Sequence, residues 1–220
     1  MSSAFALPSF AALGPAFSSG LILSLSLIMA IGPQNVHVLR MGLQRQHVAL
    51  TVAVCVLADI ALIALGVLGL AQLGGLSDKL QGALVGAGAV FLLVYGWQAL
   101  QRFLKPAVSV IEEQDATSVR TNMTPWQAAA SALAFSWLNP HAWLDTAVLI
   151  GTASLAYGQP GNAQFGMGAA AGSALWFIFW GAAVFWLGRR LGSPVIWRAL
   201  DGIVALMMGG TAVCLLWSLL

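Results

Sequence analysis

The sequence predicts an all-α integral membrane protein of six transmembrane helices, arranged as two inverted three-helix repeats. Three observations predict it. The 220 residues are 60% hydrophobic and only 7% charged, too little charge to cover the surface of a water-soluble domain of that size. The apolar residues fall into six stretches, at about 14–38, 48–73, 80–101, 127–155, 166–188 and 197–219, each near the roughly 20 residues that a bilayer core of ~30 Å demands of a helix. The first and fourth stretches each contain a helix-breaking cluster, Gly32-Pro33-Gln34-Asn35 and Leu138-Asn139-Pro140-His141, with prolines 107 positions apart, close to half the chain.

The first stretch follows an uncharged tail without a basic segment or cleavage site, so it reads as a retained helix, broken at Pro33, and not as a signal peptide. Arg40 and Arg45 follow it. The second stretch carries Asp59, about 16 Å along the helix from its start and so near the bilayer midplane. Gly82 and Gly86 in the third stretch, and Gly168 and Gly172 in the fifth, have the four-residue spacing that lets helix backbones approach closely. Tight packing within one bundle is the expectation there, with a homodimer interface as the second reading. The segment 102–126 is the one markedly hydrophilic stretch, with Glu112, Glu113 and Asp115 between Arg102, Lys105 and Arg120, and reads as a solvated linker. The fourth stretch is broken at Pro140. The uncharged run from Thr146 to Gly188 is too long for one crossing, and the turn chemistry of Tyr157-Gly158-Gln159-Pro160-Gly161-Asn162 splits it. The sixth stretch opens on Arg198 and Asp201, three residues apart, which suggests a local pair or cap. Trp97, Trp126, Trp197 and Trp217 lie near helix ends, where amphipathic rings suit the headgroup level. Cys55 and Cys214 fall inside helices as small apolar residues, so no structural disulfide is expected.

Three crossings per half force the second half to enter from the opposite side, so the repeats are inverted. The whole chain, 1–220, is then a single transmembrane domain, with repeat 1 at about 14–101, a cytoplasmic linker at about 102–126 and repeat 2 at about 127–219. Arg40, Arg45, Arg102, Lys105, Arg120, Arg189, Arg190 and Arg198 all follow odd-numbered stretches, and Lys79 alone lies on the other side. By the positive-inside rule the odd connections face the cytoplasm and both termini face outward.

Paired interrupted spans point to a transporter's binding site, because unwound turns present backbone groups that only a polar cavity or ligand satisfies. A carboxylate inside the bilayer is costly unless it serves a cavity or a partner, which makes Asp59 and Asp145 functional candidates, against a structural hydrogen-bonding or ion-pairing role in the bundle. His141 lies four residues before Asp145, so the two project from one helix face just beyond Pro140. Asn35 and Asn139 occupy nearly equivalent places in the two breaks. With Gln34, they offer the donors and acceptors that a ligand with ammonium and carboxylate groups needs, though they also suit capping at a kink. Gly32, Pro33 and Pro140 are the helix-break residues. His37, His47 and His141 match no standard metal spacing, so neither metal nor cofactor is expected. No catalytic constellation can be assembled, and no basic patch beyond the short loops suggests nucleic acid.

Gly32-Pro33-Gln34-Asn35 with Val38-Leu39-Arg40-Met41-Gly42, together with Asn139-Pro140-His141-Ala142-Trp143-Leu144-Asp145-Thr146, resembles the LysE/ArgO family of bacterial lysine and arginine exporters. The likeness runs over nearly the whole chain and includes Trp197-Arg198-Ala199-Leu200-Asp201-Gly202. It implies export of basic L-amino acids across the inner membrane, with Asp59 and Asp145 important. His37 departs from the family pattern, which carries a bulky apolar residue there. The expected activity is therefore secondary active export of a cationic amino acid, with protons as the coupling ion. The alternatives are an exporter of neutral amino acids or of a divalent metal cation, and, in another class, a non-transporting membrane scaffold.

Overall fold

A computed structural model describes residues 14–29, 32–70, 78–104, 123–187 and 194–217. The charged linker residues Lys105, Glu112, Glu113, Asp115 and Arg120, and the pair Arg189 and Arg190, lie outside the described residues. Every regular element among the described residues is helical: α1 (Pro15–Ile28), α2 (Pro33–Gln44), α3 (Val48–Leu65), α4 (Asp78–Leu104), α5 (Pro125–Trp137), α6 (Pro140–Ala142), α7 (Gly151–Ser154), α8 (Gly158–Leu187) and α9 (Pro194–Trp217). Wider π-helical turns extend α3 over Gly66–Leu70 and join α6 to α7 over Trp143–Ile150. Two runs, Val48–Gly69 and Pro140–Leu187, are long and apolar enough to cross a membrane, and Pro15–Ile28 with Pro33–Gln44 makes a third if taken as one broken span. The protein is a helical membrane protein.

Both expected breaks are present. Proline lacks the N–H that a helix interior needs but suits the first helical position, where that donor has no partner anyway. Gly32 is extended (φ −102°, ψ 179°) and Pro33 opens α2. Leu138 closes α5, its N–H bonded to Ala134 O at 2.9 Å, and Pro140 opens α6. The expected split within 157–162 falls at Gly158, whose φ of 56° is open to glycine at no steric cost, and at the non-helical Gln159. The chain resumes as α8 without a loop. At the start of α5, Thr124 accepts from Gln127 N while Gln127 Oε1 accepts from Thr124 N, a reciprocal cap followed by Pro125 at the first turn.

The chain divides into two compact units. The first comprises the described parts of Met1–Ala30, Asp59–Leu76 and His141–Trp176; the second comprises those of Ile31–Ala58, Ser77–Pro140 and Phe177–Leu220. Each draws on both expected halves of the sequence.

In the first unit, helices meet backbone to backbone. A Cβ on Gly20 would overlap the Phe165 carbonyl, and one on Gly168 would overlap the Phe17 carbonyl, so α1 and α8 cross with no side chain between them. Gly172 abuts Leu21 O and Ser24 in the same crossing. Gly66 and Gly151 play the same part where the two π-helical turns meet: a Cβ on Gly66 would strike the Ala147 carbonyl, and one on Gly151 would strike Gly66 itself. Lipid tails are as apolar as leucine, so close van der Waals contact of this kind, not water exclusion, holds membrane helices together. Ala16, Ile63, Val67, Ile150, Phe165 and Ala169 fill the core around these crossings. The four-residue glycine spacing in α8 thus serves packing within one chain. Gly82 and Gly86 of α4 face open space.

In the second unit α4 pairs along its length with α9. Its core joins Val36, Leu92, Phe135, Val204 and Met208, with Phe91 and Tyr95 packed edge-on against Phe135. Cys55 is a buried free thiol and Cys214 an exposed one. Trp97, Trp126 and Trp217 are exposed on helix surfaces.

Candidate substrate site

Asp59 belongs to the first unit, where α3 continues toward its π-helical turn. Only 2% of its surface is exposed, and Ser173 Oγ of α8 donates to its Oδ2 at 2.7 Å. A hydroxyl bond to a carboxylate oxygen at this distance is short and fixes the side chain. Asp145, in the same unit, lies in the π-helical segment Trp143–Ile150 and is half-buried. Such wide turns displace side chains from the regular helical register and concentrate at functional sites. His141 is exposed, one short helix earlier, and lies within electrostatic reach of the Asp145 carboxylate.

Gln34, Asn35 and Asn139 all belong to the second unit and all are buried. The first turn of α2 has no side-chain cap. Pro33 has no N–H to offer, so Gln34 and Asn35 carry the first backbone donors of the helix. The Asn35 carbonyl accepts from Trp180 Nε1 at 3.0 Å, which fixes the break from the side of α8. Asn139 Oδ1 is buried and accepts no hydrogen bond among the described residues. Buried acceptors are rarely left in that state.

His37 is 3% exposed on α2. Its ring stacks on Phe135 with centroids 4.5 Å apart, and Nε2 is 3.2 Å from Ser131 Oγ. Ser131 also sits 3.0 Å from Ala128 O. A hydroxyl has one proton, and if it goes to that carbonyl the imidazole must donate from Nε2, leaving Nδ1 a bare acceptor. Nδ1 indeed has no partner among the described residues.

The same unit holds a charge cluster that sequence reasoning missed. Asp201 does not pair with Arg198, as the local spacing suggested: Arg198 Nε donates to Phe103 O and its guanidinium lies over the Phe103 ring. Asp201 Oδ1 instead accepts from Arg102 Nε at 3.0 Å and lies 3.9 Å from Arg40 Nη1. Arg40, placed by sequence in the connection after the first span, is within α2, where Nη1 also donates to Tyr95 Oη at 3.2 Å. Arg102 lies 99 positions before Asp201, so no local pattern could announce the pair. Ser173 was equally hidden, a small polar residue in a run of small residues. Among the described residues, no group of three or more His, Cys, Asp or Glu side chains could hold a metal ion.

Residues 25–219 match the LysE type translocator family. A protein named Arginine exporter protein ArgO from Serratia proteamaculans (strain 568) is 32% identical over 202 residues, covering 92% of this chain and 96% of that protein. An Arginine exporter protein ArgO from Pectobacterium carotovorum subsp. carotovorum (strain PC1) is 31% identical, covering 89% and 94%. A Lysine exporter LysE from Corynebacterium efficiens is 32% identical over 222 residues, covering 91% and 97%. No solved structure gives a significant match. Kinship across nine-tenths of a helical chain with membrane-length apolar runs sets this protein among transporters and apart from enzymes: it belongs to the LysE type translocator family.

Proposed function

We propose that the protein is a secondary active exporter of basic L-amino acids, lysine or arginine, across the bacterial inner membrane. The observation that carries this reading is the likeness, at about 30% identity over most of the chain, to proteins named as arginine and lysine exporters. The chemistry of the candidate residues supports it. Asp59 and Asp145 supply negative charge within apolar helices, which suits a cationic side chain or a proton. The buried amides of Gln34, Asn35 and Asn139 suit the α-ammonium and α-carboxylate groups, and the open acceptor Asn139 Oδ1 suits an ammonium in particular.

The topology that goes with this function is six spans in two inverted repeats, broken at Pro33 and Pro140, with both termini outside and the basic connections in the cytoplasm. Export of a cation against an inside-negative potential costs about 2.3 kcal/mol per 100 mV. A proton returning through an acidic residue is the simplest source of that work, which makes Asp59 and Asp145 the coupling residues as well. Counterflow in proteoliposomes tests the assignment. Labelled arginine should accumulate against internal lysine or arginine and not against neutral amino acids, and an imposed proton gradient should drive net flux. Equal exchange with leucine, or flux indifferent to the proton gradient, would replace the substrate or the coupling ion respectively.

A further inference from the structure

The second unit carries a groove of about 1050 Å³ between residues 48–57 of α3 and 178–185 of α8. Its walls are apolar: Val52, Ala53, Val56, Leu57, Ile178 and Ala182 are among them. Its mouth is not. Arg45 lines it there, at the turn just before the membrane-length run that begins at Val48. From Val48 to Leu57 the groove descends about 14 Å at helical rise, close to half of a bilayer core of ~30 Å. It is therefore one leaflet deep, open to the side, and charged at headgroup level.

Arg45 is held in place at that mouth. It closes α2 in the left-handed conformation (φ 56°, ψ 32°), unusual for a residue other than glycine, and its N–H reaches Gly42 O and Met41 O. The guanidinium sits 4.7 Å from the centre of the Phe185 ring. Among the described residues no carboxylate pairs with it, and none lines the groove. His47 also lines the mouth, but its Nε2 is engaged with Met123 O at 2.7 Å. An apolar slot one leaflet deep beneath an unmatched guanidinium has the form of a phospholipid with an anionic headgroup: the acyl chain fills the slot and the phosphate meets the planar fork of Arg45.

We infer that this groove is a binding site for one anionic phospholipid. The inference rests on Val48–Gly69 being a membrane span and stands apart from the choice of transported substrate. Native mass spectrometry of the full-length protein in mild detergent, titrated with dioleoyl phosphatidylglycerol and dioleoyl phosphatidylcholine, tests it. The wild type should retain one phosphatidylglycerol in preference to phosphatidylcholine. Arg45→Asn keeps a residue that tolerates the left-handed turn and removes the charge; it should lower that preference about fivefold, the equivalent of about 1 kcal/mol for one basic residue at the membrane surface. Arg45→Lys should keep most of it. Ala53→Trp, which fills the exposed slot without touching the headgroup site, should lower occupancy by both lipids. Equal retention of the two lipids by the wild type would overturn the site. So would a preference that survives both Arg45→Asn and Ala53→Trp, or a lipid-free dimer that Ala53→Trp dissociates, since a second copy would then be the occupant.

Discussion

Asp59 in the first unit and Asp201 in the second are both carboxylates on largely apolar helices, and they are held in opposite ways. Asp201 shares one oxygen between two guanidinium groups, at 3.0 and 3.9 Å. Its charge is matched in place, and the two arginines join α2 and α4 to the start of α9. Asp59 receives a hydroxyl from Ser173 and is almost wholly buried. A hydroxyl orients a carboxylate but does not neutralise it. The difference is between an acid matched by two guanidinium groups and one held by a hydroxyl, and it turns on partners from other helices that no spacing along the chain reveals.

The largest effect should come from removing the second kind of acid. In Asp59→Asn or Asp145→Asn, a cationic substrate loses the countercharge that offsets its burial, worth about 3 kcal/mol for a basic group at mid-bilayer and so about a hundredfold in rate. Efflux of labelled arginine from cells should fall by that factor while the amount of protein in the membrane is unchanged. Unaltered efflux in either variant would move that residue to the architectural class.

Next comes the framework of the first unit. Gly168→Val places a branched side chain against the Phe17 carbonyl, where even one carbon does not fit. Overpacking of this kind typically costs about 1–3 kcal/mol, visible as a lower unfolding temperature in detergent together with reduced flux. The same change at Gly82, where a Cβ meets nothing within 4 Å, should leave the melting temperature within error. If both glycines behaved alike, the packing role of the α1–α8 crossing would fail.

Much of this architecture was legible in the sequence because membrane helices announce themselves locally. A long apolar run, a proline at a first turn and a glycine at a reversal each act over a few residues, and Pro33, Pro140 and Gly158 sit where such physics places them. Asp59 and Asp145 stood out because a charge in an apolar run is rare. The illegible parts are the non-local ones. Asp201 looked like a partner for Arg198 because proximity along a helix was the only measure available, and tertiary packing chose Arg102 and Arg40 instead. His37 read as a departure with an open role; its stacking on Phe135 is a contact across 98 positions that only folding creates.

Breaking the charge cluster should therefore hurt stability more than transport. Asp201→Asn leaves Arg40 and Arg102 near one another without their anion. The groups keep 17–30% exposure, so solvent softens the penalty to about 1–2 kcal/mol, below that of a fully buried pair. The expected signature is a lowered melting temperature with arginine efflux per folded molecule unchanged. A selective loss of flux at wild-type stability would show that this cluster shares in transport, and the contrast with Asp59 would disappear.

The smallest effect, and the sharpest test of the contrast, is expected from Ser173→Ala. The variant removes one hydrogen bond from a buried carboxylate that keeps other interactions, a loss of about 0.5–1.5 kcal/mol. If Ser173 only satisfies a buried acid, that loss appears in the melting temperature alone. If it also orients Asp59 toward a cation, the KM for arginine efflux should rise as well. Ser173→Thr keeps the hydroxyl on a bulkier side chain and should restore the wild-type KM even if it costs some stability. A KM identical in wild type and Ser173→Ala, with Asp59→Asn inactive, would leave Asp59 functional but assign its orientation to other neighbours.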